Sequence, residues 1–200
     1  MKRIFDIVVS LVGLICFLPL LVFVAVLIKL DSRGPIFFRQ QRIGMGFRPF
    51  EILKFRTMID NAQRRGGLIT FGKDTRITRV GRILRKTKID EFPQLINVLR
   101  GDMTLVGPRP EVPEFVELFR QDYEEILTVR PGITDLASLK YRDEAALLGC
   151  CNNPQEEYLR HVLPDKINLN KEYIRRSSFF FDLTLILKTV LKLFEYRISS

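Results

Sequence analysis

Residues Gly81 to Glu111 read GRILRKTKIDEFPQLINVLRGDMTLVGPRPE. Two adjacent carboxylates, Asp90 and Glu91, follow the basic residues Arg79, Arg82, Arg85, Lys86 and Lys88. After them, Phe92 to Leu99 is a short apolar run with a helical look. Pro93 lacks an N–H and is tolerated in a helix only in the first turn, which predicts a helix beginning near Asp90. A helix start exposes unpaired N–H groups and a partial positive charge, so it accepts anions. Two carboxylates there, beside a basic run, point to phosphate or metal chemistry. The same residues would also serve as a plain cap, Asp90, and a solvated first-turn acid, Glu91. Local physics leaves both readings open.

The surrounding chain narrows the choice. Its 200 residues bound it to one domain, or one domain plus a membrane element. Cys16, Cys150 and Cys151 form no disulfide framework or zinc spacing, which fits a reducing compartment. His161 is the only histidine and has no evident partner, so catalysis through histidine is not expected. The net charge of +9 is uneven: Arg33 to Lys88 holds fifteen Lys or Arg against Glu51, Asp60 and Asp74. From Glu111 to Leu127 six acids stand against Arg120. A basic block serves nucleic acid, anionic lipid or a phosphorylated substrate. Nucleic acid is excluded as a partner, because no binding motif is present and the block directly follows a membrane-grade segment.

That segment, Ile7 to Ile28, carries no charge, and about twenty such residues suffice to cross a bilayer. It is too long for a secretory signal and lacks a small-residue cleavage site. Pro19 near its centre favours a kink. Basic residues flank both ends, Lys2 and Arg3 before and Lys29, Arg33, Arg39 and Arg42 after. The positive-inside rule places both ends in the cytoplasm, which a helix–break–helix satisfies and one straight span does not; an ordinary kinked transmembrane helix is the competing reading.

Beyond it, Ile36 to Phe38 and Phe50 to Phe55 read as two strands of a small hairpin, with turn residues between Gln41 and Arg48. Lys54 and Arg56 alternate with Phe55 and are expected to point away from the core, towards a phosphate or a headgroup face. Ile59 to Ile77, containing Arg64-Arg65-Gly66-Gly67, reads as a loop, and Thr78 to Lys88 as a basic helix suited to anionic headgroups. Prolines on both sides fix the backbone at Arg109, in a turn that could hold a phosphate oxygen or simply be exposed. Pro113 to Val129 is predicted as one amphipathic helix. Gln155 to Val162 and Lys166 to Arg176 follow as polar helices separated by Pro164. Phe179 to Arg197 is a helix with a wide apolar face, for the membrane interface or for the core.

Five motifs in order carry a family resemblance. They are Lys54-Phe55-Arg56-Thr57-Met58, then Arg85 five residues before Asp90-Glu91, then Asn97 to Met103 (NVLRGDM), then Val106 to Pro110 (VGPRP), then Arg130 to Thr134 (RPGIT). Together with the apolar N-terminus the chain resembles the small monotopic bacterial phosphoglycosyl transferases over nearly its whole length. The resemblance implies a mostly helical α+β protein. Residues 1–30 would be a re-entrant membrane helix, and residues 31–200 a catalytic domain on the cytoplasmic face of the inner membrane. It departs from the family in having Leu18 before Pro19, where Ser is usual, and Asp135-Leu136 where an aromatic commonly follows the last motif.

The implied reaction moves a C1-phosphosugar from a UDP-sugar to polyprenol (undecaprenyl) phosphate and releases UMP. By resemblance, Asp90 would be the nucleophile and a Mg²⁺ ligand. Glu91 would serve in proton transfer or in handling the lipid phosphate, with Arg85, Arg109, Lys54, Arg56 and Arg130 contacting phosphate or substrate. The competing class is a non-catalytic protein binding anionic lipid through its basic block. Nothing in the pattern specifies the sugar or the oligomeric state.

Overall fold

A computed structural model describes residues 1–60, 62, 71–72 and 74–198, with side chains in the last helix described through Lys192. The Arg64-Arg65-Gly66-Gly67 motif and the side chains of the last helix beyond Lys192 lie outside that description. The apolar N-terminus forms a single helical run of 30 residues, Lys2–Asp31 (α1), with Pro19 inside it. The expected break is therefore absent from the hydrogen-bond pattern. A proline deletes one backbone donor and leaves the neighbouring bonds of a long helix in place. Only 11% of the most apolar window of α1 is buried, although the helix is long enough to cross a membrane.

What buries α1 is a set of polar anchors at its ends and small or aromatic contacts between. At the start, Lys2 Nζ donates to Val106 O (2.8 Å) and pairs with Asp182 (2.7 Å), while Arg3 donates to Val98 O (2.7 Å). Asp6 is buried and accepts from Thr104 Oγ1 at 2.5 Å. Midway, Phe17 stacks on Phe92 with centroids 5.0 Å apart. At the far end Arg56 donates to the carbonyls of Ile28 in the last turn and of Ser32 and Arg33 just beyond it.

The hairpin forms, with a first strand that extends past the expected Ile36 to Phe38 into the residues read as the turn. Strands Phe37–Ile43 (β1) and Pro49–Phe55 (β2) pair antiparallel from Phe37↔Phe55 to Ile43↔Pro49. The following loop is closed at its base by a bridge between Met58 and Ile77. Then Arg79–Thr87 (α2) starts at Thr78, whose side chain accepts from Gly81 N. Its N-terminal end rests against the chain just past β2: Thr78 N donates to Thr57 O (3.0 Å). Gln94–Arg100 (α3) is tied to β2 by Asn97, fully buried. That side chain accepts from Leu53 N (2.9 Å) and donates to Glu51 O (2.7 Å).

Two three-residue strands, Thr104–Val106 (β3) and Gly132–Thr134 (β4), pair in parallel. They bring the VGPRP and RPGIT motifs together so closely that a Cβ on Gly132 would sit 2.1 Å from Gly107 N. Between them, the segment expected as one helix is two, Pro113–Leu118 (α4) and Arg120–Ile126 (α5). The departure is confined to Phe119 (φ −118°, ψ 37°). Leu136–Lys140 (α6) and Glu144–Gly149 (α7) follow. Pro154–Glu157 (α8) continues through a π-turn at Tyr158–Val162 into Leu163–Arg176 (α9). Pro164 thus does not separate two helices: the widened turn before it accommodates its ring and its missing N–H. Phe179–Ile198 (α10) ends the described chain.

The core has three connected parts. Val116, Tyr123, Ile126, Tyr158 and Leu163 pack α4, α5 and the π-turn on α9. Ile52, Val98, Met103, Val106, Tyr173 and Leu185 join the hairpin, α3 and β3 to α9 and α10. Val24, Ile28, Phe55 and Leu84 seat the second half of α1 on β2 and α2. The result is the mostly helical α+β fold that the sequence implies.

Gly81 tests the close approach of α2 to Thr57. Gly to Ala in a helix ordinarily stabilises by about 1 kcal/mol. Here the new Cβ would lie 2.1 Å from Thr57 O. Gly81→Ala is therefore expected to lower the melting temperature of the detergent-solubilised protein; an unchanged or raised value would mean α2 does not need that contact.

Candidate active site

Local geometry delivers the two carboxylates to different neighbours. Lys88 ends α2 in the left-handed conformation (φ 59°), uncommon for a residue with a side chain, and turns the chain sharply. A 3₁₀ turn then carries Ile89, Asp90 and Glu91, and α3 begins only after Pro93. The pair thus precedes the α-helix that was expected to start near Asp90. In a 3₁₀ turn successive side chains diverge by about 120°, so Asp90 and Glu91 cannot share a partner face.

Glu91 is held. Its Oε1 accepts from Lys54 Nζ (2.9 Å) of β2 and from Arg109 Nη2, and its Oε2 accepts from Arg109 Nη1 (3.2 Å). Asp90 is 8% exposed, and its Oδ1 is buried without a hydrogen-bond partner. The electrostatics separate the two. Burial alone would raise Glu91, but Arg109 and Lys54 outweigh it and hold the carboxyl well below its ordinary range. Burial, then the neighbouring Glu91 charge, pushes Asp90 up. Glu91 in turn raises Arg109, while burial pulls Lys54 down to about 8 against the attraction of Glu91. One carboxylate is locked as a permanent charge and the other is left more basic and without a partner for one oxygen, a division suited to reaction at Asp90.

Of the remaining expected residues, Arg85 reaches this centre. Its Nε donates to Thr57 Oγ1 (2.8 Å), and Asp90 is the opposing charge that acts on it most strongly. Arg56 does not present its guanidinium to substrate: the side chain is buried and its Nη groups close the end of α1. Arg56 is buried and Lys54 only partly exposed, each held from outside the hairpin, Arg56 by the end of α1 and Lys54 by Glu91. Arg130 lies away from the pair, exposed, with Nε on Gly101 O (3.0 Å). It joins the end of α3 to the approach of β4.

Two acids missed by the sequence reading build the shell behind Arg109. Asp135 is fully buried; its Oδ2 accepts from Arg109 N (3.0 Å) and its Oδ1 from Ser138 N (2.6 Å) as the N-cap of α6. Glu111 accepts from Tyr158 OH (3.1 Å) and Arg42 Nη1 (3.4 Å), and Arg42 also donates to Pro110 O (3.1 Å). An Asp before a helical stretch is a legible capping signal, but its second bond, to a residue 26 positions earlier, is not.

These groups line a cavity of ≈ 2030 Å³ that runs from Phe5, Val9 and Phe17 on α1 past Asp90, Glu91 and Arg85 to Asp135 and Tyr158. It exceeds an ordinary ligand pocket of roughly 300–1,000 Å³ and joins an apolar flank to a charged centre. No cluster of three acidic, His or Cys side chains occurs among the described residues. A divalent cation here would take one carboxylate from the protein and the rest from phosphate oxygens and water, the way Mg²⁺ is usually held. Asp90 Oδ1 fits that demand and Glu91, already bonded on both oxygens, does not.

A bacterial sugar transferase family model matches residues 1–196, and the chain belongs to that family and is a transferase. With α1, it is a membrane protein. It is 40% identical over 198 residues to the UDP-glucose:undecaprenyl-phosphate glucose-1-phosphate transferase of Caulobacter vibrioides, covering 94% of this chain and 68% of that protein. It is 39% identical over 194 residues to the UDP-N-acetylgalactosamine-undecaprenyl-phosphate N-acetylgalactosaminephosphotransferase of Aeromonas hydrophila, covering 94% of this chain and 42% of that one. The Escherichia coli UDP-glucose:undecaprenyl-phosphate glucose-1-phosphate transferase is 36% identical over 198 residues, 40% of its length. The chain thus spans less than half of two of these relatives.

Because the folded pKa of Glu91 lies below its unfolded value, its contribution to stability is full above the unfolded pKa and is lost as pH falls through the folded one. Glu91→Gln should therefore be less stable than wild type at pH 7, and the gap should narrow on acidification to pH 4. Denaturant midpoints of both proteins at the two pH values check this; a gap that stays constant or widens contradicts the assignment.

Proposed function

We propose that this protein transfers a sugar 1-phosphate from a UDP-sugar to undecaprenyl phosphate through a covalent intermediate on Asp90. The observation that carries the reading is the asymmetry of the pair, with Glu91 clamped by two cations and Asp90 Oδ1 buried, unpartnered and on the cavity wall. The names of the relatives supply the substrate classes. An Asp90 oxygen attacks the sugar-bearing phosphorus; the new O–P bond forms as the bond to the nucleotide breaks, and UMP leaves with the electron pair. A phosphate oxygen of the lipid then attacks the same phosphorus and the Asp90 carboxylate is restored.

Arg85 and the remaining N–H groups of Arg109 are placed to bind phosphate oxygens as charge moves between them. Glu91 holds Lys54 and Arg109 in position rather than exchanging protons. Mg²⁺, which when bound neutralises diphosphate charge, would be held by Asp90. A lipid-binding protein without catalysis would account for the apolar helices but not for a buried carboxylate kept apart from the cations beside it.

We further propose that the protein sits on the cytoplasmic face of the bacterial inner membrane, against anionic lipid, with both ends of α1 on that side. A straight 30-residue helix measures roughly 45 Å, enough to span. Yet Lys2, Phe17 and Ser32 all contact the same globular body. A body bound along the whole helix cannot stand on both sides of a bilayer.

Asp90→Asn should lose activity by roughly 10³ or more while remaining folded, since an amide is a poor nucleophile. Intact mass of wild type mixed with UDP-glucose or UDP-N-acetylgalactosamine, without lipid, should show a phosphosugar adduct that the variant lacks. Substantial turnover by the variant would remove Asp90 from that role.

Topology is checked by single cysteines in a background with Cys16, Cys150 and Cys151 replaced by Ser. One lies in a short extension ahead of Met1, the other is Arg33→Cys. Both should be protected from an impermeant thiol reagent in intact cells and labelled in opened membranes. Labelling of the N-terminal position alone from outside would show that α1 spans.

A further inference from the structure

Seven buried side-chain polar atoms lack a hydrogen-bond partner among the described residues, and five belong to residues that line the cavity described above: Asp90, Arg42, Arg56, Ser138 and Asn170. A buried polar atom without a partner is costly, and on a residue that lines a cavity a small turn of the side chain lets a ligand complete the bonding. Asp90 belongs to the reacting centre, and the two arginines miss only Nε while their other nitrogens are bonded. Ser138 Oγ and Asn170 Oδ1 remain unexplained.

Their positions are fixed. Ser138 lies on α6, and its N–H shares the Asp135 carboxylate with Arg109 N, so it is registered to the phosphate-binding turn. Asn170, 4% exposed, lies on α9, which packs on α6. It is one helical turn beyond Lys166, whose Nζ pairs with Glu144 and lies 4.9 Å from the Tyr158 ring centroid. The nearby charges are thus already matched: Lys166 by Glu144, and Asp135 by two backbone N–H groups. The two residues themselves are neutral, an amide and a hydroxyl. That chemistry suits an uncharged polyhydroxyl ring and not another phosphate.

We infer that Ser138 and Asn170 are the sugar-reading residues of the donor site, bonding the hydroxyl or acylamido edge of the hexose. The assignment rests on the donor reading above. It favours the sugar over the uridine because the sugar phosphate stays bound between the two half-reactions while the nucleotide must leave. Enclosed polar atoms suit the part that stays. A hydroxyl can donate to Asn170 Oδ1 and accept from Ser138 Oγ, and a site built on such bonds discriminates strongly between substrates that have and lack the group.

The test is Asn170→Leu, with Ser138→Ala as an independent second variant, assayed in the full-length membrane protein with UDP-glucose, UDP-N-acetylglucosamine and UDP-N-acetylgalactosamine. Expected are a KM for the preferred donor raised roughly tenfold or more and a changed ranking among the three sugars. Inhibition by UDP should be unchanged, and the melting temperature unchanged or higher, because no protein hydrogen bond is lost. If UDP inhibition weakens in step with KM, the pair reads uridine and the assignment is overturned. If KM and ranking stay at wild-type values in both variants, the subsite does not exist. A lowered melting temperature in both, with ranking intact, makes the residues structural. A wild type that consumes none of the three sugars overturns the donor reading itself, and this assignment falls with it.

Discussion

Glu91 is where three separate parts of the chain are joined. It is carried by the turn ahead of α3, Lys54 by the hairpin, and Arg109 by the proline-locked turn after β3. The Glu91 side chain is 12% exposed and that of Lys54 18%, so neither charge is well screened by water. Removing one partner of such a buried pair costs about 3–5 kcal/mol, though the partial exposure of Arg109 lowers that figure here. The bridge also has a chemical consequence. Because both cations are spent on Glu91, neighbouring Asp90 is raised by burial and by the adjacent negative charge instead of being quenched by a salt bridge.

The rest of the site serves to hold those three parts in register. Asn97 binds α3 to the edge of β2, and Gly81 lets α2 approach Thr57 closely enough for Arg85 to reach it. Gly107 and Gly132 allow two backbones to touch, and Asp135 fixes the amide of Arg109 from behind. These are backbone and second-layer contacts. They explain why the motifs contain glycine, asparagine and proline between the charged residues.

The N-terminal helix is bound by the opposite strategy. Its surface stays apolar and largely uncovered, while Lys2, Arg3 and Asp6 at one end and the carbonyls of Ile28 to Arg33 at the other make the polar contacts. The apolar length is left for lipid, and the ends are given to the protein. Arg56 belongs to this arrangement rather than to the phosphate site, since several exposed carbonyls at a helix end require a donor with a planar fork.

The sequence by itself determined the apolar N-terminal helix, the hairpin, the basic helix α2 and the adjacent carboxylates of the candidate site. Each is encoded locally: an uncharged run, two short strands around turn residues, a cap at Thr78, and two carboxylates behind basic residues. It also placed Arg85, Arg109 and Lys54 at the site through the order of five motifs. Other features were decided only by tertiary structure. The strands β3 and β4 are too short to show a period, and they exist because Gly107 and Gly132 meet across 24 intervening positions. The same is true of Pro164, absorbed by a π-turn, and of Arg56, drawn to α1. Above all, nothing in Asp90-Glu91 as a dipeptide distinguishes the two acids. Burial and the partners brought to Glu91 from Lys54 and Arg109 do so, and those partners are 37 and 18 residues away along the chain.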